Sequence, residues 1–477
     1  MIYIWFKFLF MRKNFLLYCL FLSFSFFGQI KLADVSVELK RSSDFHQLIT
    51  QVNPETSEIF SFASDKEKFT GIKFNNAIFF SDSLSVKKPF NFRYIMGSGF
   101  TESNNPVCYW ATEDLEKFIG IEFDFNSHTT KTIQYNINLK NQTVFADFSE
   151  KGILYFLTEK KESKSLQLIS IQGHKVTTNE LDFSKFTIDN QNLKKVTLLE
   201  LLHQFGITKI DTKGFNSYVI GTNPIKYYLR NETLVITLDN TTRKTQIFEI
   251  NLKSYEIKES VFNQNNIQDI QQTNSLLFEN YLVLLELNKE AFDIQILDYS
   301  NKNLVQKYQI SENQPLPVNT KFLTQTGNNS PRTIKNSKKF IKRIFYGDIG
   351  ASLYNLNGSF IATFGASREI VRNSDIVLGV GLGLSSIATG TGFDSDFLGG
   401  NFINQNVFFD VRFDSNFKQI NNTTEPLFVD KIAQFISENR NVKYEHYFPY
   451  KDFYILSYYD KNTNEIILSK FTDGFDY

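Results

Sequence analysis

The sequence predicts an all-β protein built from repeated antiparallel modules, and three observations carry that prediction. A hairpin recurs along the chain, turn residues punctuate short apolar runs, and aromatic residues are abundant. The hairpin is clearest at Glu150-Lys151 before Gly152–Glu159, at Glu279-Asn280 before Tyr281–Asn288, and at Lys451-Asp452 before Phe453–Asp460. Looser copies are Arg230-Asn231 before Glu232–Asp239 and Asn104-Asn105 before Pro106–Glu113. Self-similarity at this supersecondary scale marks a repeat architecture before any single residue does.

Each unit continues through a polar turn into further strands. In one copy Lys164–Ile171 leads through Gln172-Gly173 to Lys175–Leu181; in another Ala351–Leu356 leads through Asn357-Gly358 to Ser359–Phe364. Asn-Gly between apolar runs is a strong hairpin signal, because both central residues of a type I′ turn need positive φ. Marking this second turn in each unit gives Asn75, Asn126, Gln172, Lys253, Asn301, Asn357, Ser415 and Asp473, hence eight units of three or four strands. The interval from Gln172 to Lys253 is the longest, and the stretch Asn192–Phe205 explains it. Val196, Leu199, Leu202 and Phe205 fall at helical spacing, with Gly206 where a left-handed cap belongs, so a helix is expected near 192–205. A second is expected near 425–437, capped by Thr424, with Pro426 in its first turn and Leu427, Phe428, Ile432, Phe435 and Ile436 on its apolar face.

This hairpin pattern resembles the broad class of secreted β-propeller repeat proteins over most of the chain. The pattern matches no narrower family: there is no WD dipeptide, kelch double glycine or sialidase-type Asp box. The resemblance implies a seven- or eight-bladed propeller of antiparallel blades in a single domain spanning 29–477. Radial repetition leaves only short, protected sheet edges. The last unit lacks an outermost strand, and Val35–Lys40 is expected to supply it and close the ring. The least regular unit lies between Ile370 and Asn406.

Fifty Phe and 22 Tyr among 477 residues supply rigid bodies for gaps between stacked sheets. Fifty-one basic and 51 acidic residues cancel, which argues against a non-specific nucleic-acid binder. At the N-terminus Arg12 and Lys13 precede the uncharged run Phe15–Phe27, with Gly28 at a plausible cleavage point. This reads as a secretory signal peptide over 1–28, starting functionally at Met1 or Met11, and implies a periplasmic, outer-membrane-associated or secreted protein. No other stretch is apolar and long enough to span a bilayer, so no transmembrane segment is expected in the mature chain.

Individual chemical signals are sparse. Cys108, between Val107 and Tyr109-Trp110, reads as a buried small hydrophobe rather than a nucleophile. No histidine pair has the spacing of a helical zinc site, and His128 and His174 read as exposed turn residues. Asp460–Asn464 begins like a calcium loop but departs from it at Glu465 and Phe471, so an ordinary turn is expected; Asp394 and Asp396 are the remaining calcium candidates. No metal or cofactor is otherwise implied.

Residues 327–343 form a basic segment carrying Arg332, Lys335, Lys338, Lys339, Lys342 and Arg343 with no acid until Asp348. It reads as a solvated loop, with a docking surface for anionic lipid, acidic glycan or an acidic partner as the functional alternative. The glycines of 379–400 do not form a dinucleotide fingerprint, and hydrolase, P-loop and HExxH motifs are absent. Two functions remain. One is a non-enzymatic interaction scaffold of the cell envelope, such as an accessory subunit of an outer-membrane assembly or export complex, partnered by another envelope protein. The other is a glycan-binding or polysaccharide-active propeller with its site at the channel mouth. Carboxylates clustered there with Tyr or Trp would favour the second.

Overall fold

A computed structural model describes residues 30–40, 46–312, 320–327, 329–371, 402–420 and 425–474. The leader over 1–28, Asp394, Asp396 and most of the irregular unit lie outside the described residues.

Among the described residues, seven sheets of four or more strands form the blades of a β-propeller. Blade 1 comprises Gln47–Val52, Ile59–Ser64, Lys68–Phe74 and Phe80–Lys87; blade 2 comprises Phe92–Phe100, Pro106–Thr112, Phe118–Asp124 and Thr129–Tyr135. Blade 3 runs Gln142–Glu150, Ile153–Lys160, Ser165–Gln172 and Lys175–Glu180. Blade 4 runs Ile225–Arg230, Thr233–Leu238, Lys244–Asn251 and Ile257–Asn263, and blade 5 Gln272–Phe278, Tyr281–Leu287, Ala291–Asp298 and Leu304–Ser311. In blade 6, Asp348–Leu356, Ser359–Val371 and Phe402–Phe413 are flanked by the short strands Leu323–Thr326 and Gln419–Ile420. Blade 7 takes Val442–Tyr450, Phe453–Asp460 and Glu465–Phe471 from the end of the chain and Ile30–Ser36 from its beginning.

That last pairing closes the ring as expected, but with an earlier segment. Ile30–Ser36 runs antiparallel to Glu465–Phe471, with Ile30 opposite Lys470 and Ser36 opposite Glu465, so only Val35 and Ser36 of the expected Val35–Lys40 lie in the strand. The count of eight resolves to seven for a local reason. Asn357-Gly358 joins the first two strands of blade 6, and Ser415 follows the third strand of the same blade, so two marks fell in one unit. The turn chemistry itself holds: Asn357 and Gly358 have φ of 52° and 82°.

Burial follows from stacking. The second strands are covered on both faces by neighbouring blades, so Ile59–Ser64 is buried throughout, while the outer strand Phe80–Lys87 alternates with solvent. Aromatics fill the spaces between blades: Phe69 of blade 1 meets Trp110 of blade 2 edge-on at 4.9 Å. Cys108 is buried in the same cluster, its thiol held up by desolvation, as a structural cysteine should be.

The first helix spans Leu198–Phe205, shorter than 192–205, because Thr197 and Glu200 form a reciprocal cap at its start. Gly206 ends it at φ 66°. The second spans Phe428–Glu438; the carboxylate of Asp430 accepts from the Leu427 N–H, and Thr424 lies outside the described residues. A third helix, Ser337–Ile344, corrects the reading of 327–343 as a loop. Asn336 caps it by accepting from Lys339 N–H, and Phe340, Ile341 and Ile344 form a buried stripe that the count of charges had hidden.

Candidate functional site

The site is built by an insertion that fills half of the ring's centre. After the first helix, Thr208-Lys209 pairs in parallel with Lys226-Tyr227 of blade 4, adding a short strand inside that blade. The chain then crosses to blade 6, where Ser352 Oγ donates to Asn216 O and a turn of 3₁₀ helix, Ile220–Thr222, lies on the inner strand. Two glycines permit this approach. A Cβ on Gly221 would stand 2.5 Å from Ala351 O, and one on Gly350 would stand 2.6 Å from Tyr218 O. The void left between the insertion and blades 5 and 6 is about 10 Å³.

A buried ionic network locks this side. Lys226 Nζ donates to Asp239 at 2.9 Å, to Asn274 Oδ1 at 2.6 Å and to Asn223 O at 2.8 Å. Lys226 and Asp239 have fully buried side chains, and desolvation pushes the lysine pKa down. Asn274 Nδ2 donates in turn to Thr222 O of the insertion and Ile349 O of blade 6, so one network spans three blades.

The other half stays open as a cavity of about 840 Å³, walled by the inner strands of blades 7, 1, 2 and 3 and floored by Lys209 and Lys213 of the insertion. The wall is joined by side chains: Gln47 Oε1 accepts from Ile95 N–H at 2.8 Å, and Thr50 bonds Ser457 of blade 7 at 2.8 Å. Three carboxylates line the cavity, Asp147, Glu150 and Glu445, together with Tyr94, Tyr444 and His446.

The Lys209 charge acts on both Asp147 and His446, which stand on two other elements. Burial raises the Asp147 carboxyl, and the Lys209 charge partly opposes it. Burial, reinforced by the same lysine, lowers His446 to about 4, so its imidazole is neutral at pH 7. His446 Nδ1 is buried without a hydrogen-bond partner among the described residues. Titratable groups displaced by desolvation inside a cavity are a physical marker of a functional site.

No protein-family model matches the chain, and no curated protein sequence matches it. Among solved structures, prolyl oligopeptidase B from Galerina marginata aligns over 87% of this chain and 46% of its own, at 10% identity and a TM-score of 0.31. The Synechocystis apocarotenoid oxygenase aligns over 55% of this chain and 61% of its own, at 8% identity and a TM-score of 0.27. AofleA from Arthrobotrys oligospora aligns over 71% and 83%, at 7% identity and a TM-score of 0.24. The chain thus spans less than two thirds of the first two proteins. These likenesses are too distant to carry an argument, and the fold rests on the sheets themselves.

The residues singled out in the sequence lie elsewhere. Arg332, Lys335, Lys338, Lys339, Lys342 and Arg343 are exposed on and before the third helix, away from the cavity. His128 reaches Asp82 at 3.4 Å and His174 reaches Glu122 at 3.3 Å, each bridging to the preceding blade rather than to the other. Asp460 accepts from the N–H of Asn462 at 2.7 Å, an ordinary turn. No cluster of three or more potential metal ligands occurs among the described residues. The cavity residues went unnoticed because they come from strands far apart in sequence.

Proposed function

We propose that the protein is a binding propeller that takes a short glycan in the open half of its channel, outside the cytoplasm. One observation carries this reading: three carboxylates, three lysines and two tyrosines converge on a single cavity of about 840 Å³. That size falls within the roughly 300–1,000 Å³ of small-ligand sites. Sugar hydroxyls both donate and accept, so they suit a wall offering acceptors at Asp147, Glu150 and Glu445 and donors at Lys209 and Lys213. The rings of Tyr94 and Tyr444 offer flat faces for the sugar's C–H groups. A pure docking scaffold would not need such convergence.

The test is binding of the full chain to a glycan array, followed by titration calorimetry on the hits. Binding to a defined subset is expected, weakened at least about tenfold, ~1.4 kcal/mol, by Lys209→Met or Asp147→Asn. A folded protein that binds no glycan, yet recovers one stoichiometric partner from solubilised envelopes, would return the function to an interaction scaffold.

A further inference from the structure

The third helix presents a face that the channel reading does not use. Its apolar stripe of Phe340, Ile341 and Ile344 is buried in the protein's own core, so the helix is a fixed part of the body. Outward stand Lys338, Lys339, Lys342 and Arg343, extended by Arg332 and Lys335, all exposed. Among the described residues only Lys338 meets a carboxylate, that of Glu312 at 3.0 Å. The remaining five cations meet no carboxylate among the described residues, on a chain whose basic and acidic residues balance. The six cations between Arg332 and Arg343 thus stand close together on one part of the surface. Tyr346, 63% exposed, stands just beyond the helix end.

We propose that this face adsorbs the protein to an anionic phospholipid surface. The chemistry of the face chooses among anionic partners. The cations sit on long, flexible side chains, which impose no fixed geometry on a partner. The helix's apolar side is already covered, which leaves no groove for a partner peptide to enter. A fluid sheet of anionic headgroups requires neither feature, because polybasic attraction adds up residue by residue. Tyr346, apolar in its ring and polar at its tip, suits the headgroup level. Adsorption would hold the propeller at a membrane without a spanning segment, and it is independent of what the channel binds.

The experiment is co-sedimentation of the full chain with vesicles of phosphatidylcholine alone or containing about one-third phosphatidylglycerol. Binding to the anionic vesicles only is expected, and it should be lost near 1 M salt, where charges are screened beyond about 3 Å. The variant Lys339→Gln, Lys342→Gln, Arg343→Gln should reduce partitioning by about tenfold to a hundredfold. Among the described residues these side chains make no ion pair, so the variant should melt as the parent does and keep any channel ligand. Equal binding to both vesicle types, or partitioning unchanged by the three substitutions, would overturn the proposal. So would a stoichiometric complex with an acidic protein that the substitutions abolish while vesicles are ignored.

Discussion

The two halves of the ring's centre are built from equivalent strands and have opposite environments. In blade 6 the inner strand is buried without a break from Ile349 to Tyr354; in blade 1 only Thr50 of Gln47–Val52 is buried. Both are first strands of a blade, facing the axis. The difference is the insertion after the first helix, which covers blades 4 to 6, touches blade 7 where Tyr454 donates to Lys213 O, and leaves the inner strands of blades 7 and 1 to 3 facing a polar cavity. Covering the axis on one side yields a dry, interlocked half that can set the geometry of the wet one. The filled half supplies stability, and the open half presents its polar groups to a cavity.

Three experiments break or sharpen this contrast. The largest effect belongs to the buried pair of the filled half. Lys226→Met removes the counter-charge of Asp239 in a dry interior, leaving it only the hydrogen bonds from Thr245 and Ser275, and denaturant unfolding should show a loss of about 3–5 kcal/mol. Replacing both, with Lys226→Leu and Asp239→Leu, should recover much of it, since the charge left behind does the damage. A single substitution as mild as a surface change would mean that water reaches this half.

Next comes the seat of the insertion. Gly350→Ala puts a methyl against the Tyr218 carbonyl at 2.6 Å and against Thr222 Cγ2 at 2.8 Å. Overpacking of this kind costs about 1–3 kcal/mol. The segment 211–217 should become more sensitive to protease while the outer blades stay protected. Unchanged cleavage would show a loosely seated insertion.

The third effect is the pH response of the open half, which is absent near neutrality and develops only as the solution is acidified. The folded His446 value, about 4, lies below its ordinary 6.5, so the unfolded chain takes up the proton first. Stability from this group is therefore complete above about pH 6.5 and is lost as pH falls toward 4, by up to about 3 kcal/mol. His446→Gln should flatten that limb, and Lys209→Met should do so partly, since the lysine charge is the second cause of the shift. Asp147 works with the opposite sign. Its raised carboxyl contributes fully below the ordinary aspartate value and less as pH rises through the folded one. Melting curves between pH 4 and 7 for the parent and these variants separate the two groups, and a parent curve flat over that range would remove His446 from the buried wall.

How far the sequence speaks depends on how local the relevant physics is. Asn357-Gly358 could be read as a tight hairpin because positive φ is a preference of those two residues. The helix ending at Gly206 could be read from its apolar spacing, yet its start was misplaced, because the cap between Thr197 and Glu200 competes with a periodicity that begins earlier. The basic segment shows the reverse error. Six charges suggested a loop, while Phe340, Ile341 and Ile344 were enough to fold a helix once a blade stood ready to bury them.

What the sequence by itself determined is the module: paired turns, apolar second strands, a closing segment near the beginning of the chain, and an insertion announced by one long interval. Those depend on preferences within a few residues, which no distant contact needs to supply. Only the tertiary structure decided that the described residues form seven blades, that the insertion folds inward along the axis, and that Asp147, Lys209 and His446 share one cavity. Desolvation and mutual charge act through space, so they exist only once strands separated by hundreds of residues have closed around a common centre.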